Sequence, residues 1–171
     1  MKKKSFFATI VTLVFVLTGF CTNAFAAGEV GSVAPAWKLR TVDGAVVSST
    51  DFAGKVVVVD FWATWCPPCR AEIPGFVELQ KKYGKDGLVI VGISVDQGGA
   101  EVVKKFVAQN KVSYQIVLAD DGVADAFGGV EGIPTTFVID RAGKIQLKEV
   151  GYVAPAEFEK RIQPFLKASK S

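Results

Sequence analysis

Four consecutive valines, Val56 to Val59, open a run through Phe61 in which nearly every residue is apolar. Such a run fits a strand covered on both faces, so Lys55 to Phe61 is predicted as a central strand. Gly87 to Val95 predicts a second apolar strand, and Tyr114 to Leu118 a shorter third one. Between these runs the period changes from two to the helical one. Pro68 to Tyr83 reads as a helix stopped by Gly84, with Pro74 kinking it. Ala100 to Gln109 reads as an amphipathic helix with Val102, Val103, Phe106 and Val107 turned inward.

The two ends carry turn signals. Trp37 to Arg40 and Ala45 to Ser48 flank Asp43-Gly44, which predicts an amino-terminal β-hairpin. Thr135 to Asp140 and Lys144 to Val150 pair around Arg141-Ala142-Gly143, and Pro155 to Lys167 closes the chain as a helix with proline in its first turn. The order predicts an α/β fold, a mixed central sheet with helices on both faces. No repeat, low-complexity linker or charge block follows the first 26 residues, so residues 30–168 form one domain.

Residues 1–26 have a different pattern. Met1-Lys2-Lys3-Lys4, the 15 apolar-rich residues from Phe6 to Phe20, and Ala24-Phe25-Ala26 are the charged, apolar and small-residue parts of a secretory signal, with cleavage expected after Ala26. An uncleaved anchor is the alternative, if the run is extended through Ala27 toward the ~20 residues a bilayer requires. Cys21 is discarded with a cleaved leader. The leader also accounts for the basic balance, since without its three lysines the chain holds 17 basic and 17 acidic residues. The pI near 8.7 therefore gives no support for nucleic-acid or anionic-membrane binding.

After the leader only Cys66 and Cys69 remain, separated by Pro67 and Pro68, in a compartment where disulfides persist. The strand before and the helix after place the pair at a helix start, where unpaired N–H groups and the dipole favour a thiolate. Cys66 is read as the exposed attacking sulfur and Cys69 as the resolving one. Zinc needs about four ligands, and the chain has no histidine and no further cysteine outside the leader. Haem attachment needs a histidine after the second cysteine, where Arg70 stands. A purely structural disulfide across two residues would constrain the unfolded chain little. Because Pro67 and Pro68 lack N–H groups, the Cys69 N–H is the expected backbone donor to the sulfur.

Asp60-Phe61-Trp62-Ala63-Thr64-Trp65-Cys66-Pro67-Pro68-Cys69-Arg70, with Pro74 and the distant Gly132-Ile133-Pro134-Thr135-Thr136, resembles the thioredoxin fold. Val33-Ala34-Pro35, Asp43-Gly44, Phe52-Ala53-Gly54-Lys55 and an extra strand-helix before Ile133 resemble its exported TlpA/ResA-like branch, of the AhpC/TSA-redoxin type. The resemblance covers nearly the whole chain after the leader. It implies a thioredoxin fold with an N-terminal β-hairpin and an extra β–α insertion. It also implies a cis bond before Pro134, which would set the backbone of Ile133 beside the cysteines for pairing with an extended substrate.

Asp60 interrupts the apolar strand, where desolvation would raise its pKa and let it exchange a proton with Cys69. It matches the buried acid of ordinary thioredoxins. Trp62 and Trp65 are expected to pack around the disulfide, with Trp65 shaping the substrate-contact surface. Arg70 either stabilises a thiolate or is solvated, and Glu72 is expected to be solvated. Asp96, Gln97 and Glu101 receive no role.

The sequence thus points to an extracytoplasmic thiol-disulfide oxidoreductase that acts as a reductant of client protein disulfides, for instance in apocytochrome c maturation. The branch implies re-reduction by a membrane thiol carrier of the DsbD/CcdA type, with no cofactor, no metal, no nucleic-acid partner and a monomeric state. The alternatives are an exported oxidant or isomerase, a peroxiredoxin and a dithiol copper carrier. Val59 and Ala63 occupy the positions where a peroxiredoxin would need its proline and threonine, and the chain after the leader has no histidine or methionine to complete a copper site.

Overall fold

A computed structural model describes residues 27–167, so the predicted leader lies outside the described residues. At its centre is β3, Val56–Trp62, buried along its whole length. It runs parallel to β4, Leu88–Ser94, and antiparallel to β6, Thr135–Ile139. Seven strands form one mixed sheet in the order β2-β1-β5-β4-β3-β6-β7. The predicted hairpin is β1, Lys38–Thr41, with β2, Val46–Ser48, and it extends the sheet by pairing β1 antiparallel to β5, Gln115–Leu118. Gly44 supplies the positive φ (84°) that the hairpin turn requires. At the other edge, β6 pairs with β7, Ile145–Val150.

Helix α1, Pro67–Tyr83, tolerates two prolines in its first turn because N–H groups there have no helical acceptor. It remains a single helix through Pro74. It ends at Tyr83 with Gly84 as its C-cap, as the sequence suggested. Gly84 keeps right-handed helical angles (φ −57°), a short 3-10 turn follows over Gly84–Asp86, and the left-handed residue is Gly87 (φ 92°). The remaining helices are α2, Gly99–Gln109, the short α3, Val123–Ala126, and α4, Pro155–Lys167.

The core has two layers. Alternation along β3 sends Val56, Val58 and Trp62 to one face, where they pack with Ile73, Phe76 and Leu79 of α1, Val103 of α2, and Phe158, Ile162 and Leu166 of α4. Gly75 lets α4 approach closely, since a Cβ there would stand 2.7 Å from the Pro155 side chain. Val57, Val59 and Phe61 face the other layer, with Trp37, Val123, Phe127 and Phe137. The three long helices therefore share one face. The opposite face is covered by α3 and the amino-terminal segment rather than by a long helix.

One inward assignment in α2 changes. Val103 is fully buried and Phe106 packs on Trp62 at 5.4 Å between ring centroids, but Val102 is 45% exposed. Adjacent helical residues lie about 100° apart, so only one of two neighbouring valines can point squarely at the sheet.

Candidate active site

The carboxyl end of β3 runs through Ala63, Thr64 and Trp65 into α1, so the last residue before the helix, Cys66, is its N-cap. Cys66 and Cys69 form a disulfide, with Cα atoms 5.3 Å apart. The Cys69 N–H donates to the Cys66 sulfur at 3.3 Å, as the paired prolines led one to expect, and the Arg70 N–H goes to the Cys66 carbonyl at 3.1 Å. Cys69 is fully buried and Cys66 retains only 3% of its surface. Cys66 is thus the more exposed residue of the two, yet far less exposed than the sequence suggested, with the Ile133 carbonyl lying against it. The Cys66 sulfur is 3.8 Å from the Ile133 carbonyl oxygen, and the Ile133–Pro134 bond is cis. Pro134 is buried, and its carbonyl accepts the Gly151 N–H at 2.8 Å, which ties this loop to the end of β7.

The two tryptophans part company. Trp62 is fully buried in the layer that holds both cysteines. It lies over Gly92 of β4, where a Cβ would stand 2.8 Å from the indole nitrogen. Trp65 is 65% exposed, because strand alternation has ended before it and α1 has not begun. Arg70 sets its guanidinium carbon 5.8 Å from the centre of the Phe106 ring.

Asp60 lies between Val58 and Trp62 in the alternation of β3, so its carboxyl is on the face covered by α1. It is 1% exposed, and the Thr136 hydroxyl donates to its Oδ1 at 3.2 Å. Burial pushes its pKa well above the ordinary carboxylate value, the Glu72 carboxylate adds to the rise, and the Thr136 bond opposes it.

Glu72 is the residue that the sequence reading missed. Far from being solvated, it is 4% exposed on the inner side of α1, one turn beyond Cys69. Its Oε1 accepts the Val153 N–H at 2.9 Å, while Oε2 is buried with no partner among the described residues. Burial raises its pKa to about 7, against the pull of the Val153 bond. The signal was available in the helical period, since Glu72 precedes Ile73 and lies four residues before Phe76, both on the buried side. Tyr114 belongs to the same buried region. Its pKa is raised first by burial and then by Asp60 and Glu72.

The site therefore combines a disulfide at a helix start, an adjacent backbone carbonyl before a cis proline, and two buried acids on the inner side. Both acids hold a proton more readily than an exposed carboxylate does, which suits them to exchange one with a neighbouring thiol.

The chain is similar to known proteins. The thioredoxin-like protein YneN of Bacillus subtilis is 35% identical over 133 residues, 77% of this chain and 78% of the relative. The thiol-disulfide oxidoreductase ResA of Geobacillus thermodenitrificans is 35% identical over 135 residues, 78% of this chain and 76% of its own. The crystal structure of a thiol:disulfide interchange protein, a thioredoxin family protein from Chlorobium tepidum, has a TM-score of 0.74 at 37% identity, covering 82% of this chain and 99% of that one. The seven-stranded sheet is accordingly a thioredoxin-like fold. Residues 30–148 match the AhpC/TSA family, and the chain belongs to that family as a thioredoxin-like thiol-disulfide oxidoreductase.

Proposed function

We propose that the dithiol form of this protein reduces disulfides in client proteins outside the cytoplasm, apocytochrome c among them, with Cys66 as nucleophile and Cys69 as the resolving thiol. The observation that carries this reading is the asymmetry of the pair: of the two residues only Cys66 retains exposed surface, with its sulfur accepting a helix N–H and lying beside the Ile133 carbonyl. The Cys66 thiolate attacks one sulfur of the client disulfide. That S–S bond breaks, a Cys66–client bond forms, and the departing client thiolate takes up a proton. Cys69 then gives its proton to the carboxylate of the Asp60–Glu72 pair and attacks the Cys66 sulfur. The mixed disulfide opens, the client leaves with both thiols reduced, and the two electrons it received leave Cys66–Cys69 oxidised.

Trp65, Ile133 and Pro134 form the client-contact surface in this reading. The exposed indole supplies apolar area, and the backbone beside the cis bond offers hydrogen bonds to an extended segment. The leader supports export, by cleavage or as an anchor, and re-reduction falls to a membrane thiol carrier of the DsbD/CcdA type. The protein works without cofactor or metal, as a monomer. The test is a Cys69→Ala variant expressed in its own cell, which traps mixed disulfides through Cys66. Captured extracytoplasmic proteins with paired cysteines, haem-binding Cys-x-x-Cys-His segments included, support the proposal. Capture of cytoplasmic proteins alone, or through no cysteine of this pair, overturns it.

A further inference from the structure

The turn that delivers Cys66 is held from a distance of 32 residues. Asp96, just beyond β4, takes three bonds on one carboxylate. Its Oδ2 accepts the Thr64 N–H at 2.9 Å and the Ser94 hydroxyl at 2.8 Å, and its Oδ1 accepts the Thr64 hydroxyl at 2.6 Å. Ser94, itself 2% exposed, returns the tie by accepting the Asp96 N–H at 3.2 Å, which fixes the orientation of the carboxylate. The Val95 N–H bonds the Trp62 carbonyl at 2.9 Å, and the Cys66 N–H bonds the Ala63 carbonyl at 3.2 Å. Trp62, the last residue of β3, and Thr64 beyond it are therefore anchored to the segment after β4, and the Cys66 bond closes the turn between them and α1.

We infer that Asp96 is a positioning residue for the redox reaction, acting through Thr64 to hold Cys66 where its sulfur meets that of Cys69. Cys69 is set by the rigid first turn of α1, whereas Cys66 is an N-cap with extended angles (φ −89°, ψ 108°), whose placement depends on the turn before it. Closing a disulfide between two thiols is a proximity reaction, and its equilibrium rises with the fraction of time the two sulfurs spend in bonding geometry. A turn pinned at Thr64 keeps Cys66 in that geometry and favours the closed disulfide, which makes the dithiol a better reductant. The same anchor holds Trp65 where a client meets it. Thr64 thereby acquires a reason for being a residue with both a hydroxyl and an N–H to give.

The inference rests on the Cys66–Cys69 pair as the redox centre, and its test separates the anchor from the assignment of attacking sulfur. Asp96→Ala, Asp96→Asn, Thr64→Val and Thr64→Ser are equilibrated against glutathione, and the rate of mixed-disulfide resolution is followed by stopped flow. An asparagine can accept from the Thr64 N–H and donate to the Thr64 hydroxyl, so it preserves the anchor without the charge. The expected result is a threefold or larger drop in the equilibrium constant for disulfide closure, with tenfold slower resolution, in Asp96→Ala and Thr64→Val. Rescue toward the unsubstituted values is expected in Asp96→Asn and Thr64→Ser. If Asp96→Ala fails to fold, the Thr64 pair decides alone. A folded Thr64→Val with an unchanged equilibrium constant overturns the inference, as does an Asp96→Asn variant as impaired as Asp96→Ala. First alkylation at Cys69 in the reduced unsubstituted protein instead overturns the choice of Cys66 as nucleophile, while the equilibrium constant still judges the anchor.

Discussion

Asp60 and Glu72 reach one buried region from different elements, and neither has a cation to offset its charge among the described residues. An isolated carboxylate in such a place keeps its proton more readily, which brings its proton affinity closer to that of a thiol and improves proton transfer. Asp60→Asn keeps size and can still accept from Thr136, but cannot take a proton. Resolution of the mixed disulfide near pH 7 is expected to slow by about 10²-fold, the lower end of what a positioned base contributes, with the fold intact by circular dichroism. Unchanged resolution across the pH range would reduce Asp60 to a structural residue. In the proposed reaction attack by Cys66 precedes that step, so limiting iodoacetamide is expected to label Cys66 of the reduced protein before Cys69, as read by peptide mass. Asp60 was legible as an anomaly because it breaks an apolar run. Glu72 was legible only through the helical period that puts it on the side of Ile73 and Phe76, a signal outweighed by the usual solvation of helical glutamates.

Among the elements, α2 offers the sharpest contrast between neighbours. Val103 is fully buried against the sheet and Val102 is nearly half exposed. Val103→Ala leaves a cavity in a packed layer and is expected to cost about 2 kcal/mol in urea unfolding. Val102→Ala is expected to change stability by less than about 0.5 kcal/mol. Equal effects would mean that the helix is rotated. Periodicity located α2 but could not choose its inward line to better than one residue. The end of α1 was legible at Gly84, while the left-handed turn into β4 falls three residues later, at Gly87.

Stability of the whole domain carries the mark of its acid pair. An unfolded glutamate ionises near 4.5, whereas the folded Glu72 keeps its proton up to about pH 7. Below pH 4.5 the carboxyl is protonated in both states and folding bears no penalty from it. As the pH rises from there through about 7, the unfolded chain loses a proton that the native chain retains, so the unfolding free energy falls. Asp60 acts in the same direction. Glu72→Gln keeps an oxygen for the Val153 N–H and removes its share of the slope. A tenfold change in proton affinity is worth about 1.4 kcal/mol, and partial solvent contact reduces the sum, so the variant is expected to gain about 2 kcal/mol at pH 8 and little at pH 4.5. Urea midpoints measured from pH 4.5 to 8 check both the sign and the window.

Local order was written along the chain. Valine runs make strands because β-branched residues suit a pleated, doubly covered surface, Asp43-Gly44 makes a hairpin because glycine can take the positive φ, and two thiols three residues apart at a helix start can meet across one turn. Those regularities involve neighbours in sequence, and they were enough to point to the redox chemistry and the class of fold. What depended on residues far apart became visible only in three dimensions. The bond from Val153 to the buried Glu72, the exposure of Trp65, the crowding of all three long helices onto one face, and the bond from Asp96 to Thr64 each depend on how segments separated in sequence come together in the fold. Periodicity encodes which side of an element is apolar, whereas the identity of the group facing a buried carboxylate is set by register and helix packing, which no local pattern carries.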